Sequence, residues 1–320
     1  MPALFTRASL SRGPGYVTIG GATLFPISDM DPRHSPEFNP VKLSLHGQID
    51  KYKTDFVIKH RISVFGLFSS LPVLFPSYIL NPTIGASIFT NADQTLVYQA
   101  RNNDRITYFN SQITKLLDLH LGVDSETFSA ALEITSIIAN GANPEDASAY
   151  FVRDTNVYAA PTFDMTQFVK SRWTGSWNGK AGLTAFVGQN GFNISWTFDA
   201  KPCVVKGWGT VDMTVGEGGL IGMCKCIPIV PTAAQIDAAQ GLGGGTTGAP
   251  LAGDAHGTLL SSLGADLTLT AGAHSVVLKG AGITESGSVF GIEPLRNGEL
   301  AFETTRGFAA NVPNATAAIS

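Results

Sequence analysis

The period of the apolar residues constrains this chain more than any other feature. In Phe56-Val-Ile-Lys-His-Arg-Ile-Ser-Val64, residues 56, 58, 62 and 64 are apolar while 59, 61 and 63 are polar, the period of a strand with one buried face. Similar stretches at 41–45, 96–100, 128–138, 168–173, 193–198, 210–215, 220–229, 267–270, 275–278 and 300–304 predict a mainly β chain. His60 falls on the apolar side of its strand. It reads as a buried neutral histidine satisfied by a neighbour rather than a ligand or base, because no carboxylate or second histidine shares its face.

Helix signals are few. Asn143 as cap, Pro144 at the first helical position and the acids Glu145 and Asp146 predict a short helix over 144–152. Thr232 as cap and Gly241 as stop predict another over 231–240, followed by a flexible Gly-rich loop over 241–257. Residues 62–92 carry no charge and are long enough to span a bilayer. Pro72, Pro76 and Pro82 break that stretch, so it reads as a strand end, a short packed helix and a loop, with no membrane span.

With 320 residues, 44% of them hydrophobic and 14% charged, the chain has the apolar surface to fold and exceeds what one core of about 250–300 residues holds. Two domains are expected. Each half shows a strand hairpin (41–64; 193–215), an apolar segment (65–79; 220–239) and a second strand group (85–138; 257–308). The echo is clearest where 92–98 aligns with 264–270 and 127–135 with 298–305.

A net charge of -4 excludes a chain that clings to phosphate backbones. Residues 1–61 carry eight basic and five acidic side chains, residues 227–320 three and seven. That gradient orients identical subunits or simply solvates a surface. Cys203, Cys224 and Cys226 are too few and too isolated for a disulfide framework or a zinc site. They read as packed thiols in a reducing compartment, and the amino terminus lacks the apolar core of a secretion signal.

No nucleotide-binding, metalloprotease, calcium-loop or serine-hydrolase motif is present. The pairs Asp29/Asp31 and Glu145/Asp146 fall in a Pro-rich loop and a first helical turn, and 216–222 reads as hairpin turns rather than a phosphate loop. The expectation is a non-enzyme, with no catalytic, cofactor-binding or metal residues and no cofactor. The best binding candidate is 170–180, near which all four tryptophans gather: Trp173, Trp177, Trp196 and Trp208. They read as core tryptophans before they read as a stacking surface for sugars or bases.

The strings Arg12-Gly-Pro-Gly-Tyr-Val-Thr-Ile-Gly-Gly-Ala, Gly47-Gln-Ile-Asp-Lys with the strand 54–64, and Tyr78-Ile-Leu-Asn-Pro-Thr-Ile-Gly-Ala-Ser-Ile-Phe89 carry a resemblance. So do 199–215, Ile227-Pro-Ile-Val-Pro-Thr-Ala-Ala-Gln-Ile-Asp237 and Pro294-Leu-Arg-Asn-Gly-Glu-Leu-Ala-Phe-Glu-Thr-Thr-Arg-Gly-Phe308. In their order, the chain resembles the major tail tube proteins of long-tailed, siphovirus-like bacteriophages. The resemblance implies two tandem tail-tube-like β-sandwich or barrel domains, each with a short flanking helix: 1–160 with an N-terminal arm over 1–15, and 161–320 with the loop 241–257.

It also implies a structural virion protein whose stacked rings form the conduit for DNA delivery. Rings would be homotrimeric and pseudo-hexameric, or homohexameric, with each domain giving about four strands to an inner barrel. Implied partners are further copies, the tape measure protein, the tail terminator and distal tail proteins, and duplex DNA in transit without sequence-specific binding. The location would be the virion tail, assembled in the host cytoplasm. About 24 strands spaced ~4.8 Å and tilted ~40° close a barrel ~48 Å across, and part of the -4 charge is expected to face its bore. Alternatives are a β-sandwich glycan-binding or glycosidase module, and a secretion-system tube protein of similar fold.

Overall fold

The computed structural model describes residues 14–27, 31–43, 47–89, 94–123, 127–162, 172–177, 183–229, 265–286, 299–304, 308–309, 312–313 and 317–319. The predicted helix at 231–240, the loop at 241–257, the strand residues 168–171 and the arm residues 1–13 lie outside them. In the first half the strands are β1 Pro14–Ile19, β2 Ala22–Pro26, β3 Asp31–Leu43, β4 Gly47–Leu67, β5 Leu96–Ala100, β6 Asp104–Tyr108, β7 Ser111–Leu121, β8 Thr127–Ser136 and β9 Phe151–Thr155. The second half has β10 Thr174–Trp177, β11 Leu183–Gly188, β12 Phe192–Val205, β13 Gly209–Cys226, β14 Pro228–Ile229, β15 Ala265–Ala271, β16 His274–Ser286, β17 Leu300–Thr304, β18 Phe308–Ala309, β19 Val312–Pro313 and β20 Ala317–Ile319. The fold is mainly β: all but β18 and β19 join one hydrogen-bonded network.

Between β4 and β5 the apolar run folds as predicted. Phe68–Leu74 is a 3-10 helix, Ser77–Leu80 forms one turn of α-helix (α1), and a loop follows. The expected helix over 144–152 is not formed. Asn143 Oδ1 accepts from the Glu145 amide and Asp146 Oδ1 from the Ser148 amide, which closes a single 3-10 turn at Ala147–Ala149. From Phe151 the chain is claimed by β6, since a ladder of cross-strand bonds outweighs a weak helix start.

The strand pairing of residues 16–155 recurs in residues 174–319 in the same register. Val17 opposite Leu24 is matched by Gly175 opposite Phe186, and Ile19 opposite Leu96 by Trp177 opposite Leu267. Leu96 opposite Tyr108, and Tyr108 opposite Phe151, become Leu267 opposite Leu278 and Leu278 opposite Ala317. Phe25 with Phe65 corresponds to Val187 with Ile229, and Ile62 with Leu132 to Cys226 with Leu300. β16 alone does the work of β6 and β7, passing from one layer to the other at Gly280. The equivalent residue of the first half is Asn110, and both have positive φ, 58° and 39°, a region that Gly and Asn enter most readily.

Even a bulge is repeated. Register skips Thr114 in β7 and Thr284 in β16, and in each case the threonine hydroxyl donates to the facing carbonyl, of Glu133 and of Ala301. The predicted echo pairs the right strands, β5 with β15 and β8 with β17, whereas 220–226, expected to match the apolar segment 65–79, lies in β13 and corresponds to 56–62. Its alignment differs from this register by one residue for 92–98 and by three for 127–135.

One core runs through both halves. Phe68 of the first half stands edge-on to Trp173 of the second at 5.3 Å, and Trp196 donates its indole N–H to the Leu74 carbonyl at 3.0 Å. His60 is fully buried, with Nδ1 3.0 Å from the Tyr98 hydroxyl and Nε2 2.9 Å from Ser136 Oγ. Ser136 Oγ lies 2.7 Å from Ser111 Oγ, which reaches the Tyr108 carbonyl. With the proton assigned to Nε2, each hydroxyl and the ring N–H has an acceptor, so the neutral imidazole satisfies the chain.

Candidate assembly interface

The two halves meet edge to edge. β7 pairs with β12 antiparallel, Phe192 opposite Leu121, Ile194 opposite Leu119, Trp196 opposite Leu116 and Thr197 opposite Lys115. Together with the ladders within each half this gives an eight-stranded run in the order β3, β4, β8, β7, β12, β13, β17, β16, four strands from each half. Among the described residues, β3 pairs only with β4, and residues 282–286 of β16 only with β17. Among the described residues, both ends of the run are open edges.

Beside this junction the β12–β13 hairpin reaches across to the first half. Asp55 on β4 accepts from the Thr210 amide at 2.7 Å and its hydroxyl at 2.5 Å. Residues 85–88 exchange backbone bonds with 213–215, and Ser87 Oγ donates to Asp212. A Cβ on Gly209 would stand 2.5 Å from Asp55 Oδ1, so this close approach requires glycine.

The face of the run turned away from the core is polar. Arg61, Glu133 and Lys115 lie opposite one another on β4, β8 and β7, with Lys115 Nζ 3.6 Å from Glu133. Lys225 sits 3.6 Å from Glu299. Among the described side chains, Lys59, Arg61, Lys115 and Lys225 stand against Asp118, Glu133, Glu299 and Glu303. This face carries no excess of negative charge.

Three of the four tryptophans are core residues. Trp173, Trp177 and Trp196 are buried, and Trp177 donates to the Ala281 carbonyl at 2.7 Å. Gly175 lies under the Phe186 ring, where a Cβ would stand 2.6 Å from it. Only Trp208, at the tip of the β12–β13 hairpin, is exposed (44%). It borders a cavity of about 390 Å³ that Asn110 and Asp212 also line; a larger hollow of about 930 Å³ lies between the β1–β2 turn and the 3-10 helix.

Cys224 and Cys226 are buried on the core side, and burial pushes the Cys226 thiol up to about 12. Cys203 is half-buried. Of the carboxylate pairs, Asp31 begins β3, Asp29 lies outside the described residues, and Asp146 caps its turn. The segment 216–222 forms no hairpin turn: it lies inside β13, where the register passes from Val215 to Leu220. No group of three or more His, Cys, Asp or Glu residues is placed to hold a metal among the described residues. Among the described residues, no helix is long and apolar enough to cross a membrane.

The edge-to-edge junction and the twin bulges went unseen in the sequence. A signal existed for the bulges, since Thr114 and Thr284 each follow an isoleucine, but two residues do not make a pattern. The chain matches no protein-family profile and no curated protein sequence.

Proposed function

We propose that this chain is the structural subunit of a phage-type tail tube, two tandem tube-like units that assemble into stacked rings around a DNA conduit. One observation carries the reading: each half supplies four antiparallel strands to one sheet, joined through β7 and β12, with the outer strands left open. A junction of that kind can be repeated from chain to chain. Because the two open edges differ, the contact is head-to-tail, and such contacts generate rings when the rotation closes. Three chains supply 24 strands and six units; closing the barrel removes every edge.

The polar face of the sheet would line the bore. In place of part of the -4 charge, expected above to face the bore, this reading gives it the balanced charges of the described side chains, with Arg61, Glu133 and Lys115 neutralising each other. DNA would meet neither a holding patch nor strong repulsion. The tape measure protein, tail terminator and distal tail proteins belong to this reading as partners, and the virion tail as its location.

Negative-stain microscopy at rising concentration, with mass by light scattering, tests the reading. Annular particles or hollow filaments, with a ring mass of three times 33.7 kDa, are expected; a mass of six chains would mean that each ring position holds a whole chain. Persistent monomers would move the reading to a glycan-binding module, for which only Trp208 remains an exposed tryptophan.

A further inference from the structure

Among the described residues, the β7–β12 ladder is the one strand ladder that joins the two halves, and it supplies a template for the docking of a second copy. We infer that β3 of one chain pairs antiparallel with β16 of another, His34 opposite Ser286 and Ser35 opposite Glu285. The inference rests on the ring reading above but adds a register to it.

The register follows from two correspondences. Asp31 faces Arg61 as Asn193 faces Lys225, and the hairpins close with Leu43 facing Gly47 as Val205 faces Gly209, so residue 35 of β3 stands where 197 stands in β12. Lys115 faces Glu133 and Leu116 faces Leu132, as Glu285 faces Ala301 and Ser286 faces Leu300, so 285 and 286 stand where 115 and 116 stand in β7. Within the chain, Thr197 faces Lys115 and Trp196 faces Leu116. Carried over, those pairs become 35 with 285 and 34 with 286.

The edges suit this limited contact. β12 leaves β7 after Thr197, and the next position, Phe198, corresponds to Pro36. A proline has no amide to donate, so Pro36 ends the inter-chain ladder where the in-chain ladder also ends. Pro32 and Pro40 take further donors from the same strand, which discourages indiscriminate pairing while β3 waits for its partner.

Paired cysteines test the register. S35C/E285C, oxidised under assembling conditions, should give disulfide-linked multimers about tenfold faster than N39C/E285C, in which the thiols are displaced by four residues, ~13 Å along the strand. On the wild-type chain, the amide of 34, which points to the same side of β3 as position 36, and that of its partner 286 should exchange freely in the monomer and become protected in the assembly. Rings without preferential cross-linking and without protection at these amides would overturn the register and leave the tube reading standing. A chain that neither forms rings nor cross-links at its solubility limit overturns both.

Discussion

At the scale of single residues, the polar chain through His60 is the most exacting feature. Removing the imidazole leaves the Tyr98 hydroxyl without a partner on that side and opens a cavity, so His60→Ala should cost about 3 kcal/mol. The checking measurement is the denaturant midpoint with an unchanged m-value. Its burial was legible in the sequence because parity along 56–64 puts residue 60 on the core face. Its partners were not, since Tyr98, Ser111 and Ser136 are brought to it by three other strands. The thiols make a second test: iodoacetamide at pH 8 should label Cys203 alone in the folded protein and all three after unfolding, because burial keeps Cys224 and Cys226 protonated.

At the scale of elements, the bulges decide local stability. Thr114 is buried and its hydroxyl also lies 3.1 Å from that of Thr135, whereas Thr284 is exposed. Thr114→Val should therefore cost about 1–2 kcal/mol and Thr284→Val less than about 1 kcal/mol, read as shifts in thermal midpoint. Bulges also explain why β7 escaped prediction: skipping Thr114 and Leu117 spaces the buried Ile113, Leu116, Leu119 and Leu121 by three, three and two, a mixture of helix and strand periods. β9 is held to β6 by Arg105 with Asp154 (2.8 Å) and Arg153 with Asp104. Those arginines hold both carboxyls below the ordinary range. The stability they add is present above the unfolded carboxyl value near ~3.9 and is lost as pH falls through the lowered values. Protection factors of the 151–155 amides, corrected for intrinsic rates, should fall as pH drops below about 4, before those of β4 do.

At the scale of the whole molecule, the mainly β class was legible because period-two runs fill the chain. The duplication was visible only as a faint echo, for a physical reason. Equivalent core positions keep burial and abandon identity: His60 corresponds to Cys224, Ile19 to Trp177, Tyr98 to Leu269 and Ser136 to Thr304. A core asks each site for volume and satisfied polar groups, so two copies drift apart while their ladders hold register. Gly175 shows the coupling: it yields room to Phe186, whereas its counterpart Val17 packs against the smaller Leu24. Gly175→Ala should destabilise the second half by about 1–3 kcal/mol, measured by denaturant unfolding, and a companion Phe186→Leu should recover part of the loss.

The covalent union of the two units has a kinetic side. The β7–β12 joint closes inside one chain, at an effective concentration that dilution does not touch. In the proposed ring of three such chains, half the joints would be finished before any two molecules collide. Its formation would then scale with the third power of chain concentration instead of the sixth, so such rings would persist at dilutions where separate units would fall apart.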